Sequence, residues 1–329
     1  MKRQALKLSA AVVATGAIAL SAAFAPSPAQ AQSKNASPQA FAKTQSKFHD
    51  PYYNVCRGTS PECLAQNKGW AERPENSRMR VLIYSRTAGP RHANLGTVLG
   101  PGLNPPLNAN NVVQATLIQW LAEEGITADW TETPGNFSPN NYAAVILASG
   151  NRDNLFDATQ VSPTTPMTNL RQYMRRGGGV VAIHNAFGAN YNWPYYEGLL
   201  GNANFYNHGP NRNGIVKVVA NDPSTQGVAP AFEFQDEWYN LEPFPTNVKF
   251  LLTVDTDSLN PLTGNPHPGH AGFHPVAWCQ YYDGGRVWAT TLGHNGNSFT
   301  GTGVGAAEFK KLIVQGIKSA MGLTDFCTP

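Results

Sequence analysis

Gly177-Gly178-Gly179-Val180-Val181-Ala182-Ile183-His184 is the stretch on which the fold turns. An unbroken apolar run rich in β-branched residues, entered through glycines, spells a strand buried on both faces, as in the middle of a parallel sheet. The glycines precede the strand instead of opening a helix, so they form a turn and not a phosphate cradle. The strand ends on a histidine. In an open parallel sheet, ligands bind beyond the carboxyl ends of the strands, so that end carries the chemistry.

Working outward, Leu170 to Arg176 closes a helix before this strand. Ala143-Ala144-Val145-Ile146-Leu147, Thr127-Ala128-Asp129-Trp130 and Arg80-Val81-Leu82-Ile83-Tyr84-Ser85 read as three earlier strands. Between the last two, Val113, Leu117, Trp120 and Leu121 fall at helical spacing, with Gly125 as the cap. Downstream, Ile215 to Val219, Lys249 to Val254, Val276 to Tyr282 and Arg286 to Leu292 are expected to continue the sheet. Asp283-Gly284-Gly285 joins the last two as a hairpin. A helix from about Ala306 to Met321 buries Phe309, Leu312, Ile313 and Gly316 and stops at Gly322. Strands alternating with helices predict an α/β domain over residues 78–323, a parallel sheet with helices on both faces and a C-terminal hairpin. Residues 324–329 are a tail.

The chain has 329 residues, 24 Lys plus Arg and 21 Asp plus Glu. Three positives (Lys2, Arg3, Lys7) lie in a leader without acids, so the remainder is formally neutral. That argues against a nucleic-acid partner and against a basic membrane-surface protein. Hydrophobic residues at 41% exclude a disordered chain. Residues 1–31 read as a secretory signal peptide: a charged start, an apolar stretch from Leu8 to Phe24, and Ala29-Gln30-Ala31 as the cleavage site. The expected product begins near Gln32, without a membrane anchor, and is secreted or periplasmic. Residues 32–77 form a linker and a cysteine-containing extension with Trp70. Export makes Cys56, Cys63, Cys279 and Cys327 disulfide candidates. A local Cys56–Cys63 bridge leaves Cys279 for Cys327, although four cysteines allow three connectivities.

Thr87-Ala88-Gly89-Pro90-Arg91-His92 follows the first strand, Ser149-Gly150-Asn151-Arg152-Asp153 the third, and Gly293-His294 the second hairpin strand. His184, His92, His294 and Asp153 are therefore candidates for catalysis at one rim. Two metal-ligand patterns stand beside this reading. His267, His270 and His274 have suitable spacing in a Pro/Gly loop, and His92, His184, His208 and His294 could converge if His208 folds over the rim. Spacing alone assigns no metal and no cofactor. Asp236 and Glu237 are successive residues of an extended segment, so at most one reaches the site, which disfavours a two-carboxylate glycosidase. Trp193 and Tyr196 offer aromatic faces to sugar rings, and Asn185 could read hydroxyls. There is no G-x-S-x-G elbow, H-E-x-x-H helix or dinucleotide fingerprint.

Thr87–His92, Gly177–His184, Asp236-Glu237-Trp238-Tyr239, His274-Pro275-Val276-Ala277-Trp278, Gly285-Arg286-Val287-Trp288 and Leu292-Gly293-His294 resemble the motifs of the trehalose-utilisation (ThuA-like) family over roughly residues 79–322. The resemblance implies a class I glutamine amidotransferase-like, flavodoxin-like fold and a link to disaccharides and their 3-keto derivatives. The related amidotransferases carry a cysteine nucleophile on the tight strand-to-helix turn. Here that turn is Ala182-Ile183-His184-Asn185-Ala186, and an imidazole cannot form the thioester of a glutaminase. The expectation is an exported protein acting on a small saccharide or 3-keto-glycoside, with His184 as acid/base and Arg91 or His294 stabilising the oxyanion. Substrate contacts are expected from Arg91, Asn185, Trp193, Tyr196, His208 and Asp236 or Glu237. A non-catalytic sugar-binding protein and a metal-dependent hydrolase are the alternatives.

Overall fold

The computed structural model describes residues 47–50, 54–64, 77–159, 162–259 and 272–328. The leader, most of residues 32–77 including Trp70, and His267 and His270 lie outside the described residues. In chain order, β1 (Lys47–Asp50) and β2 (Val55–Gly58) precede β3 (Arg80–Tyr84), helix α1 (Val112–Glu123), β4 (Thr127–Thr131) and β5 (Ala144–Ala148). Next come α2 (Thr165–Arg175), β6 (Gly179–Ile183), α3 (Pro194–Leu199), β7 (Phe205–His208), β8 (Arg212–Val218), β9 (Ala231–Asp236) and β10 (Tyr239–Leu241). The chain closes with β11 (Lys249–Val254), β12 (His274–Tyr282), β13 (Gly285–Thr290), α4 (Gly296–Thr300) and α5 (Ala306–Met321).

The main sheet runs β4-β3-β5-β6-β13-β12-β11-β8-β9, with β2 added to β12 and β1 to β2; β7 and β10 pair separately. Pairings from β4 to β13 are parallel. From β13 to β9 they are antiparallel: Arg286 to Leu292 extends the parallel sheet as expected, while the runs in β12, β11 and β8 join it in antiparallel pairing. The physical reason is the connections. Helices α1 and α2 supply the crossovers that parallel strands need, whereas no α-helix lies between β8 and β13 among the described residues. The Asp283-Gly284 turn has positive φ at both residues (47° and 93°), matching the right-handed twist of a tight hairpin.

Alternate residues of each central strand point to opposite faces, and the core divides accordingly. Val81, Ile83, Ile146, Val181 and Ile183 pack with α1 and α5 through Leu117, Trp120, Phe309 and Leu312. Leu82, Tyr84, Val145, Leu147 and Val180 pack with α2 and α3 through Leu170, Tyr173, Tyr195 and Leu199. Tyr173 explains Gly178, where a Cβ would lie 2.3 Å from its ring; a Cβ on Gly179 would lie 2.2 Å from Ala320 O, and Gly177 has φ 82°. Tyr173 also donates its hydroxyl to Ala143 O at 3.0 Å and accepts from Gly179 N at 3.0 Å, locking α2 to the strand entry.

Cys56 is bonded to Cys63 and Cys279 to Cys327. The second bridge ties the tail to β12. Beside it the buried Lys249 ammonium donates to Asp222 Oδ2 at 2.8 Å and to Thr328 O. No helix among the described residues is long and apolar enough to cross a membrane.

Candidate metal centre

The parallel half positions the site as the strand-end rule requires. His184 follows β6 directly, with φ 51°, a left-handed conformation that costs a non-glycine residue of order 1 kcal/mol and turns the ring over the sheet edge. It is fully buried. Its Nδ1 lies 2.9 Å from Thr291 O. A carbonyl only accepts, so Nδ1 carries the proton and Nε2 presents a lone pair to the site.

Two further groups meet that lone pair, and His294 stands beside them. His92, from the loop after β3, brings its Nε2 to 3.0 Å. Tyr239, the first residue of β10, brings its hydroxyl to 2.9 Å. His294, four residues after β13, stacks edge-on at 5.4 Å between ring centroids, and its Nδ1 lies 3.0 Å from Glu237 Oε2. One ligand atom from each of His92, His184, Glu237 and His294 falls within 4.8 Å of all the others. A tetrahedral ion with bonds of about 2.0–2.1 Å holds neighbouring nitrogens roughly 3.3 Å apart; the 3.0 Å His92–His184 separation is near that spacing and is equally the length of an N–H···N hydrogen bond.

Electrostatics favour the same use. Burial, with the charge of His294 second, pushes His92 down to about 4. Burial and then His92 hold His184 well below the ordinary imidazole value. Both are neutral at pH 7 and keep their lone pairs. Burial pulls His294 down, but its hydrogen bond to Glu237 and the charges of Glu237 and Asp236 outweigh it and leave it raised. Burial likewise raises Glu237, but His294 and the other imidazoles bring it below the usual carboxylate value. Buried Tyr239 is shifted far upward and remains a protonated phenol.

Asp236 and Glu237 divide their work as alternation demands. Glu237 faces the histidines. Asp236, fully buried, accepts from Gly293 N at 2.7 Å, His294 N at 3.2 Å and Glu237 N at 2.8 Å, fixing together the two segments that carry His294 and Glu237. Desolvation, partly offset by those backbone bonds, pushes its carboxyl up to about 7. Asn94 joins the opposite side, donating from Nδ2 to Gly293 O at 2.9 Å and His294 O at 2.8 Å. The His92 loop is thus tied to the His294 loop.

Several sequence expectations change place. Arg91 does not face the site. Its guanidinium forms a fork on buried Glu132 (2.7 and 3.2 Å) and caps Leu95 O and Gly96 O, so it shapes the His92 loop and is not free to hold an oxyanion. Asp153 is outside the donor set and lines a separate hollow with Tyr191 and Phe205. Tyr196 is fully buried and donates to Ala186 O at 2.9 Å, which makes it packing and removes it from substrate contact. His208 approaches Glu237 only to 3.8 Å and stays at the margin, so Glu237 takes the fourth place. His274 lies buried in β12 with Nε2 2.9 Å from Tyr239 O, a structural position on the far side of β10. Asn185 is within 3.3 Å of His92 Nδ1, and Trp193 lines a hollow beyond Asp153. Asn94 and Glu132 escaped the sequence reading, their only signal being position next to a candidate or a strand end; Tyr239 stood in the Asp236–Tyr239 motif without an assigned role in the chemistry.

The family described as trehalose utilisation matches residues 80–320. Among solved structures, a ThuA-like protein from Bacteroides uniformis superposes with a TM-score of 0.52 at 20% identity, covering 75% of this chain and 93% of its own. A ThuA-like protein from Parabacteroides merdae gives 0.51 at 18%, covering 74% and 89%. These likenesses concern the fold. A comparison with curated proteins finds no match.

Proposed function

The chain belongs to the trehalose-utilisation family, and from that premise we propose that it is an exported, histidine-centred enzyme acting on a small saccharide or 3-keto-glycoside with the help of one divalent transition-metal ion. The observation that carries this reading is the convergence of His92, His184, His294 and Glu237 within 4.8 Å, two of the imidazoles held neutral by burial. Imidazole with carboxylate is a donor set suited to zinc and its first-row neighbours. Thr291 O on the remote nitrogen of His184 is the outer-shell partner that fixes a ligating tautomer.

A bound ion supplies Lewis-acid polarisation of a carbonyl or hydroxyl oxygen. The chain's own groups do the rest. Tyr239, a buried phenol aimed at the centre, donates a hydrogen bond to a substrate oxygen and holds it in place. His208, exposed and 3.8 Å from Glu237, borders the site on its outer side. No thiol is available for glutaminase chemistry, since all four cysteines are in disulfides. Those two bridges also support export, as does the signal-peptide pattern of residues 1–31.

One observation favours a second reading, a metal-free relay. The Asn185 amide nitrogen lies 3.3 Å from His92 Nδ1, an arrangement that puts the proton on His92 Nε2, where it is donated to His184. If the amide oxygen faces Nδ1 instead, Nε2 is free to ligate. The experiment is product analysis by NMR with mono- and disaccharides and their 3-keto forms, before and after treatment with a chelator. Turnover that disappears with the chelator, returns with zinc or cobalt, and is absent in His184→Ala supports the metal reading. Turnover indifferent to chelation but abolished by His184→Ala supports the relay.

A further inference from the structure

We propose that the substrates are glycosides whose apolar or aromatic aglycone is held by Phe156, Met167 and Trp193. This rests on the saccharide reading above and adds what the leaving or linked group must be. Two hollows lie outside the donor cluster, the first linked to it through Phe205 and Tyr239. The first, of about 450 Å³, is lined by Arg152, Asp153, Tyr191, Asn192, Phe205 and Tyr206. The second, of about 250 Å³, shares Asp153 and Asn192 with it and adds Phe156, Met167 and Trp193, with Thr164 and Asn190 at its edge. The shared residues make the pair one two-part cleft.

The first hollow is next to the chemistry. Phe205 lines it and stands 4.5 Å from Tyr239 and 5.8 Å from His208 between ring centroids. Tyr239 in turn contacts His184. Its lining mixes ring faces with a guanidinium, a carboxylate and an amide; Arg152 lies 5.6 Å over the Tyr191 ring. One cation beside one anion suits neutral hydroxyls, which both donate and accept, better than a charged group.

The second hollow is built differently. Phe156 is 38% exposed, a large apolar ring turned to solvent. Trp193 stacks on Tyr195 at 5.1 Å and so has one face backed by protein. Met167 is the adaptable filler of such a wall. Of the polar edge, Asn190 has already committed its Nδ2 to Asn154 Oδ1 at 2.9 Å. A second sugar would find its hydroxyl partners along the edge formed by Asp153, Asn192 and Thr164, whereas an aryl or alkyl group would bury apolar surface against the wall of Phe156, Met167 and Trp193.

The test compares phenyl and methyl glycosides of glucose, galactose and mannose, as both anomers, by calorimetry and saturation-transfer NMR. For at least one sugar the phenyl glycoside is expected to bind roughly tenfold tighter than the methyl glycoside, the usual yield of burying an aromatic ring in part. Phe156→Ser, a change at an exposed position, is expected to erase most of that gap while leaving the methyl glycoside's affinity within about twofold. Equal affinities in the parent for every pair, or a gap untouched by Phe156→Ser and by Trp193→Phe, overturns the proposal. So does phenol alone binding as tightly as its glycoside. A phenyl preference that survives in Glu237→Gln protein, or in protein that takes up no metal, supports the hollow and separates it from the metal reading.

Discussion

His184 holds a left-handed backbone, a fixed tautomer and a shared lone pair at once, and each depends on a neighbour on another strand. Replacing it with Ala is expected to weaken metal affinity by about 100-fold or more and to abolish turnover, because a ligand is lost. Tyr239→Phe separates binding from chemistry: metal affinity stays within about threefold while kcat falls roughly 10²-fold. Equal losses in both quantities would place the hydroxyl among the structural groups instead. Away from the site, Asp129 tests the electrostatics of the fold. Burial raises its carboxyl, but bonds from Asn104, Tyr142 and Arg80 outweigh that and hold it below 3.8. A depressed carboxylate stabilises fully above its unfolded value and loses that contribution as pH falls through the folded one. Asp129→Asn is therefore expected to lower stability at pH 7 and to flatten the acid limb below about pH 4 in a melting-temperature series. His92, His184 and His294 were legible in the sequence because each follows a strand of the parallel half, and the strand-end rule needs only that. Asp153 obeyed the same rule yet belongs to the hollow, since the loop after β5 carries it outward. Asn94 and Glu132 were not legible, nor was the part Tyr239 plays in the chemistry, because these roles arise from contacts between loops far apart in the chain.

At the scale of elements, the apolar runs located eight of the eleven strands of the main sheet but not β1, β2 or β9, and the three longer helices stand where they were expected. Direction was harder. Val276 to Tyr282 and Lys249 to Val254 are buried on both faces, as parallel strands are, so their patterns look alike. Only the absence of crossover helices distinguishes them. The hairpin turn between β12 and β13 is the element most open to a local test. Gly284 has φ 93°, and a Cβ there would approach Arg175 O to 2.9 Å. Gly284→Ala is expected to cost about 1–3 kcal/mol in urea unfolding, from strain at positive φ together with the contact. A neutral result would mean that the turn adopts another geometry in solution.

For the whole molecule, the neutral balance beyond residue 31 and the paired cysteines describe a protein stabilised by burial and cross-links more than by surface charge. The two bridges differ in reach. In the chain-entropy view, the 48-residue separation of Cys279 and Cys327 corresponds to about 4 kcal/mol and the 7-residue separation of Cys56 and Cys63 to about 2.5 kcal/mol. Replacing the second pair with Ser should therefore lower the midpoint of guanidinium unfolding more than replacing the first, and the reverse order would contradict that assignment. The fold was readable because burial and periodicity are local signals; the centre it assembles was only partly readable, because it draws donors from the segments after β3, β6, β9 and β13 together. The most direct measurement is metal content and cobalt titration of protein purified without an affinity tag, beside His92→Ala and Glu237→Gln. One ion per chain, a visible-band spectrum of tetrahedral cobalt, and loss of that spectrum in both variants are the predicted results. Protein that takes up no zinc or cobalt, or that takes it up equally in both variants, would contradict the account.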